Sequence, residues 1–446
     1  MRPDVRYARR GGAALAYQVV GDGARDLLVV PGFLSNIEYL WRVPSMARFF
    51  SDLASRHRLI LMDRRGSGLS DKYSDPPSQE QLMEDIDAVL DDAASPRTSV
   101  LGIWEGCATT LLYAASRPTR VSSLLLFSAS ATQRRDDDYP WAWTTEMGDE
   151  WLASLGLGWG TRAWIVRNAR WMGPSLLDDP DELEHWITYT RLAASPSSAE
   201  AVMRLDAKHD VRSILPLVHT PTLLLHRTGD QVEEIDGARY MASKMPDARL
   251  VELPGDDGIP WLGDTAPLLR EIHAFLGSGV REDTGTRERR LASVLFTDIV
   301  NSTATAATLG DARWGELVER HHREVRRLFA EHGGAEVDTA GDGFFAVFDG
   351  AARAARCALD IVSAVRDLGI EIRAGVHAGE VESVAGKAGG LAVVVGSRIA
   401  ALGGPSEVLA SSTVKDLTLG SGLTFEDRGD AELKGVPGSW RLYRVS

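Results

Sequence analysis

Residues 101–115 read LGIWEGCATTLLYAA: an apolar run, SVLGIW, enters a turn with glycine at both shoulders, Gly102 and Gly106, and leaves it as a helix of small and apolar residues. Outward from this segment the same rhythm repeats. DLLVV (26–30) and RLILMD (58–63) precede a helical pattern over Gln79 to Asp92, and VSSLLLF (121–127) follows the quoted helix. It resumes with TPTLLLH (220–226), a helix near Glu234 to Met245, ARLVEL (248–253) and a last helix ending near Leu276. Short apolar runs alternating with helices predict a parallel sheet covered by helices.

Between the two halves, over about 132–210, the pattern is helical only and carries Trp141, Trp143, Trp151, Trp159, Trp164, Trp171 and Trp186. This segment reads as an inserted helical cap. Its indoles have two readings: the core of a small subdomain poor in aliphatic residues, or the wall of an apolar pocket beneath the cap. A polar, aperiodic stretch, GSGVREDTGTRERR (277–290), ends the first domain at 278 and supplies a linker over 279–290. A second domain follows over 291–446. There LASVLFTDIVNST is a strand entering a turn, DARWGELVERHHREVRRLF an amphipathic helix, and GAEVDTAGDGFFAVF a hairpin pivoting on Gly341 to Gly343.

The bulk composition agrees with two soluble cores. The 446 residues are 44% hydrophobic and 25% charged, and a formal charge of −14 spread along the chain argues against a nucleic-acid or anionic-membrane partner. Cys107 and Cys357 are the two cysteines, far apart and without metal-ligand spacing, which excludes a disulfide framework and points to a reducing compartment. No stretch approaches the roughly 18 uninterrupted apolar residues of a membrane span, and no signal peptide opens the sequence, so the expected location is the cytoplasm.

LLVVPGF, LMDRRGSGLSD and LGIWEGCATTLLYAA, in this order, resemble the α/β-hydrolase family across nearly all of residues 1–278. In that family the elbow GxSxG presents a nucleophilic serine. Here Trp104 stands in its place, and an indole carries no nucleophilic oxygen or sulfur. The resemblance puts the acid of the triad at Asp230, in HRTGDQ, with a structural role expected. It puts the base at Gly258, in GDDGIPW. With two of three triad members missing, the domain is expected to be inactive as a hydrolase. Cys107 lies inside the helix rather than at the projecting tip, and His273, in LLREIHAFL, reads as a solvated surface residue. Trp104 either plugs the former acyl pocket or offers its ring to a small apolar ligand, and the domain is expected to be a structural or ligand-sensing regulator.

Residues 291–446 resemble the class III adenylate and guanylate cyclase domain, from LFTDIVNST through AGDGFFAVF and GSRIAALGGP to ELKGVPGSWRLY. The expected architecture is therefore α/β overall: an α/β-hydrolase fold with a helical cap, then an α+β, ferredoxin-like cyclase domain. By resemblance, Asp298, Asp342 and the carbonyl of Ile299 bind two Mg²⁺ or Mn²⁺ per site, which help the ribose 3′-hydroxyl attack the α-phosphorus. Backbone amides of Asn301 to Thr303 are placed for phosphates. Arg398 would stabilise transition-state charge and Lys434 would contact the triphosphate.

Three positions depart from the family. Asp338 replaces the lysine that reads adenine in adenylate cyclases, Lys387 stands where an aspartate or threonine is usual, and Val394 replaces the asparagine that orients the ribose. Asp338 and Lys387 together would read ATP with reversed partners, while an acid at 338 also resembles the glutamate of guanylate cyclases and leaves GTP open. Because Val394 cannot hydrogen-bond, turnover is expected to be slow, or absent in a silent nucleotide-binding dimer. Class III sites form between two domains, so a homodimer is implied.

Overall fold

The computed structural model describes residues 3–32, 35–72, 77–277, 288–384 and 387–446, with the backbone alone for 288, 383, 384 and 387. The chain divides into two compact units, Met1–Asp283 and Thr284–Ser446. Most of the linker expected over 279–290 lies outside the described residues. Among them no helix is long and apolar enough to cross a membrane.

The strands of the first unit are β1 (Arg6–Arg10), β2 (Ala13–Val20), β3 (Asp26–Val30), β4 (Arg58–Met62), β5 (Thr98–Ile103), β6 (Val121–Phe127), β7 (Thr222–Arg227) and β8 (Ala248–Leu253). They form one sheet in the order β1-β2-β4-β3-β5-β6-β7-β8, antiparallel at the β1–β2–β4 edge and parallel from β4 to β8. Every residue of β5 is buried, which is why that run reads as continuously apolar rather than alternating. Around the sheet lie α1 (Pro44–Ala54), α2 (Gln79–Asp92) and α3 (Gly106–Ser116), with α4 to α7 forming the cap and α8 (Ile235–Lys244) and α9 (Ala266–Gly277) after it.

The cap helices are short: α4 (Thr145–Gly158), α5 (Arg162–Met172), α6 (Pro180–Ala193) and α7 (Pro196–Asp206). Helices of this length are marginal alone, and each begins on a side-chain cap. The Thr144 and Thr161 hydroxyls accept from the amides of Met147 and Trp164, the Asp179 carboxylate from Asp181 and Glu182, and the Ser195 hydroxyl from Ser198. Each such cap contributes about 1 kcal/mol. The cap is tied to the sheet by Arg64, just beyond β4. Its guanidinium donates to both Asp206 carboxylate oxygens (3.1 and 3.3 Å) and to the Gly32 carbonyl (2.8 Å), and the pair is buried.

The second unit contains β9 (Glu288–Ile299), β10 (Ala335–Ala340), β11 (Gly343–Phe348), β12 (Ile372–Val384), β13 (Lys387–Gly389), β14 (Val408–Ser411), β15 (Phe425–Glu432) and β16 (Ser439–Val445). Its sheet runs β10-β11-β9-β12-β14-β16-β15, with β13 folded back on β12. The helices are α10 (Ser302–Leu309), α11 (Asp311–His332), α12 (Ala351–Ala364), α13 (Leu391–Leu402) and α14 (Ser412–Leu417). Strand alternation sends Leu295 and Ile299 of β9 into a core with Val325, Leu328 and Phe329 of α11 and much of α12, and Ala292 and Val294 into a second core with Ala392 of α13.

Helix α13 lies against β12 at backbone distance. A Cβ on Gly375 would fall 2.2 Å from the Ala400 nitrogen and 2.6 Å from its Cα, contacts no side chain can make. Gly375→Ala is therefore expected to destabilise this unit by about 1–3 kcal/mol. Denaturant unfolding with hydrogen exchange of the β12 amides measures it, and wild-type exchange in the variant would show that the contact carries no weight.

Candidate functional site

Two places collect the residues singled out in the sequence, one in each unit. In the first, β5 ends at Ile103 and α3 begins at Gly106, and Trp104 takes the left-handed conformation (φ 49°) between them. The turn is held by Trp104 N–H donating to the Phe127 carbonyl (3.1 Å) and Cys107 N–H to the Trp104 carbonyl (2.9 Å). Its two glycines are required by contact. A Cβ on Gly106 would approach the Pro31 carbonyl oxygen to 2.5 Å, and one on Gly102 would approach Thr110 Oγ1 to 2.9 Å. A bulky residue at positive φ costs on the order of 1–3 kcal/mol. The strained elbow thus persists with an indole at its tip. Trp104 Nε1 is buried without a hydrogen-bond partner among the described residues.

Asp230 follows β7, and the loop after β8 brings Gly258 beside it. The carboxylate is already satisfied: Oδ2 accepts from the Ser128 hydroxyl (2.6 Å) and Oδ1 from Val232 N–H (2.8 Å). Burial raises its pKa, and the neighbouring His226 opposes the rise. A Cβ on Gly258 would fall 2.7 Å from Asp230 Oδ1 and 2.9 Å from a Val232 methyl, so a side chain here requires both of those side chains to shift. His226, in the same HRTGDQ segment, is a histidine near Asp230 that the sequence reading passes over. It is buried, 3.9 Å from the carboxylate, with Nε2 within 2.9 Å of the Glu233 carbonyl. Cys107 is fully buried, and burial pushes its thiol well up.

The solvated placement expected for His273 is corrected. Its side chain is 9% exposed, with Nε2 2.6 Å from an Asp52 carboxylate oxygen and its ring stacked on His57, Nδ1 lying 3.3 Å from that ring's Nε2. The helical stripe of α9 is apolar, but Asp52 at the end of α1 and His57 just beyond it cover this edge.

The tryptophans of the cap divide between the two readings given above. Trp159, Trp164 and Trp186 are core residues, 7–8% exposed. Trp143, Trp151 and Trp171 are half-buried and line a cavity of about 70 Å³ together with Trp104, Glu105 and Glu233. On its other side Trp104 borders a second cavity of about 50 Å³ lined by apolar groups such as Ile37, Phe50, Trp186 and Trp261. Burial, with the nearby Glu105 charge, pushes the Glu233 carboxyl up to about 8 despite a hydrogen bond from Gln133 Nε2 at 2.6 Å.

In the second unit an open groove of about 660 Å³ is lined by Asp298, Asp338, Val394 and Arg398. Its floor is the stacked pair Phe296 and Phe345 (4.5 Å between ring centres, 4° apart), which the sequence reading does not single out. Asp298 ends β9 and Asp342 sits in the β10–β11 turn; Asp342 Oδ2 accepts from Ile299 N–H at 3.3 Å, which ties the two motifs together. Asp298 Oδ2 accepts from Arg373 Nη2 (2.6 Å) and Nε (3.1 Å), another partner the sequence reading misses. Asp298 and Asp342, linked through the Ile299 amide, are hard carboxylate oxygens of the kind a divalent cation prefers, and a cation at Asp298 would have to displace Arg373.

Asp338 lies beside a bulge in β10, exposed, opposite Phe345. Arg398 Nε donates to the Lys434 carbonyl (3.1 Å), so the Lys434 backbone positions Arg398, while the Lys434 side chain is not part of the groove lining. Asn301 has left-handed φ and precedes α10, with no side-chain cap. The side chain of Lys387 lies outside the described residues, so its pairing with Asp338 is not described.

Comparison with known proteins places both units. The family model for the alpha/beta hydrolase fold matches residues 27–261, over half of the chain, and the model for the adenylate and guanylate cyclase catalytic domain matches residues 286–446. A probable esterase of Oryza sativa subsp. japonica is 24% identical over 250 residues, covering 55% of this chain and 89% of its own. The esterase EaEST from Exiguobacterium antarcticum superposes with a TM-score of 0.54 at 18% identity, over 61% of this chain and 98% of its own, a likeness of fold alone. The adenylyl cyclase CyaB from P. aeruginosa aligns over 36% of this chain and 96% of its own, with 19% identity and a TM-score of 0.35. The chain belongs to the alpha/beta hydrolase fold family through its first unit, to which an adenylate and guanylate cyclase catalytic domain is fused.

Proposed function

We propose that the protein converts ATP to 3′,5′-cyclic AMP and diphosphate at a site completed by a second copy of the chain, under the control of a hydrolase-like unit that no longer hydrolyses. The observation that carries this reading is that Asp298, Asp338 and Arg398 border one open groove of the chain; a second copy facing it would bring its own Asp338 and Arg398 to the Asp298 and Asp342 of the first. In the reaction the ribose 3′-oxygen forms a bond to the α-phosphorus, the bond from that phosphorus to the β-phosphate oxygen breaks, and the hydroxyl proton leaves. Asp298, Asp342 and the Ile299 carbonyl would hold two Mg²⁺ or Mn²⁺, which supply Lewis-acid stabilisation of the triphosphate and of the attacking oxygen.

Arg398 places a fixed positive charge toward the transferring phosphoryl group, and Lys434 contributes through its carbonyl, which aims that guanidinium, with its ammonium left for the triphosphate tail. Asp338 accepts from the exocyclic amino group of adenine. The Phe296 and Phe345 pair gives the groove an apolar floor. Val394 offers the ribose no hydrogen bond, and a missing positioning group slows turnover by about 10²-fold. Support for the homodimer comes from α13, where Leu391, Val394 and Leu402 stand 56%, 40% and 50% exposed on the same helical face as Arg398.

Support for an inactive hydrolase site is steric as well as chemical. Trp104 has no nucleophile, and a base at Gly258 would press on Asp230 and Val232, while the Ser128 hydroxyl and the Val232 amide already occupy the Asp230 carboxylate. The double variant Trp104→Ser, Gly258→His is therefore expected to show no ester hydrolysis above background. Turnover of a nitrophenyl ester measures this, and saturable hydrolysis would mean the old triad can reassemble.

Cyclic nucleotide formation by the full-length protein, with ATP or GTP and Mg²⁺ or Mn²⁺, tests the main reading. Product is expected from ATP and lost in Asp298→Ala, and Val394→Asn is expected to raise kcat by about 10- to 100-fold. Product from GTP alone would assign Asp338 to guanine. No product under any condition, with nucleotide still bound, would replace catalysis by a silent nucleotide-binding dimer.

A further inference from the structure

Asp342 stands in a hairpin loop of two residues. The ladder of β10 and β11 closes on the pair Ala340 and Gly343, which leaves Gly341 and Asp342 as the loop, with Gly341 in the left-handed region (φ 64°). In a loop this short the ladder supplies no partner for the two central carbonyls. Here each of them meets a histidine of α11. His322 Nε2 lies 3.1 Å from the Gly341 carbonyl oxygen, and His321 Nε2 lies 3.3 Å from that of Asp342 itself. A carbonyl only accepts, so both rings carry a proton on Nε2 and donate it.

The rings are braced as well as bonded. Phe344, buried in β11 just past the loop, packs edge-to-face against both imidazoles, with centres 5.7 Å from His321 and 4.9 Å from His322 and the planes 67° and 78° apart. On its other side the loop is tied to β9, where Asp342 Oδ2 accepts from Ile299 N–H. The loop is therefore held twice from α11 through its backbone and once from β9 through the carboxylate.

His321 is fully buried, and its Nδ1 has no hydrogen-bond partner among the described residues. An unsatisfied buried polar atom costs free energy that a phenylalanine of similar shape would not. The same face of α11 carries Val325, Leu328 and Phe329 into the core, so packing alone is met by an apolar ring. What the imidazole adds at this place is the donor Nε2.

We propose that His321 and His322 are positioning residues for the cation site: by donating to the two loop carbonyls they fix the pitch of the loop on α11 and so aim the Asp342 carboxylate at the cation it shares with Asp298. The inference rests on the reading of Asp298 and Asp342 as metal ligands. Groups that orient a ligand without touching the ion change metal affinity by about 10- to 100-fold when they are removed.

The test is Mn²⁺ binding by the full-length protein without nucleotide, followed by electron paramagnetic resonance of the free ion, with Asp298→Ala as the reference for loss of the site. His321→Phe and His322→Phe keep a ring against Phe344 and remove the donor, whereas His322→Gln offers an amide N–H near the place of Nε2. Each phenylalanine variant is expected to bind Mn²⁺ about tenfold more weakly while unfolding at or above the wild-type denaturant midpoint, and His322→Gln is expected to recover most of the lost affinity. A purely structural role would move the midpoint and leave the affinity alone.

Wild-type Mn²⁺ affinity in the phenylalanine variants, or a loss that His322→Gln shares in full, would overturn the positioning role; with binding still lost in Asp298→Ala, the cation site itself would stand. Mn²⁺ binding that Asp298→Ala leaves unchanged, or none by the wild type, would overturn the cation site and this inference with it. Should His321→Phe not fold, the two variants of the partly exposed His322 decide the question.

Discussion

Both units depend on a helix and a strand meeting with nothing between their backbones. In the first, the start of α3 is drawn so close to the end of β3 that a methyl on Gly106 would press on the Pro31 carbonyl; in the second, α13 rests on β12 where Gly375 meets Ala400. Packed interiors tolerate almost no excess volume, so these contacts set where each helix begins and which way it points. Everything of functional interest hangs from them. Trp104 is held at the tip of the first, and Arg398 is carried on the helix fixed by the second.

The elbow of the first unit stands without a serine at its tip because the frame and the nucleophile rest on different atoms. The elbow is a property of backbone conformation and two missing methyl groups, and it accepts an indole as readily as a hydroxymethyl group once the left-handed strain is met. The triad was a property of three side chains. A buried carboxylate without a partner is expensive, and Asp230 is satisfied by the Ser128 hydroxyl and the Val232 amide, close beside the Cβ-less Gly258.

Most of the architecture is legible in the sequence because it is periodic: the alternating apolar runs, the tryptophan-rich interruption and the hairpin at Gly341 each correspond to an element of the fold. Asp298, Asp338 and Arg398, which occupy fixed steps of local motifs, come to border one groove. What local pattern cannot carry is a partner distant in sequence. His273 reads as solvated because Asp52 and His57 stand more than two hundred residues earlier, and Arg373 gives no sign that it holds Asp298. The cap indoles cannot be divided into core and wall from spacing, because that division depends on which of them face the elbow. Glu233 gives no sign in the sequence that the turn after β7 sets it near Glu105.

The buried pair of Arg64 and Asp206 joins the turn after β4 to the last helix of the cap. Separating such a pair without replacing its partners costs about 3–5 kcal/mol, so the cap is a fixed roof rather than a swinging door. Traffic to the space beneath must then pass through openings between side chains, and the aperture, not a hinge, selects what enters. A ligand bound beneath such a roof would have to be compact enough to pass between side chains.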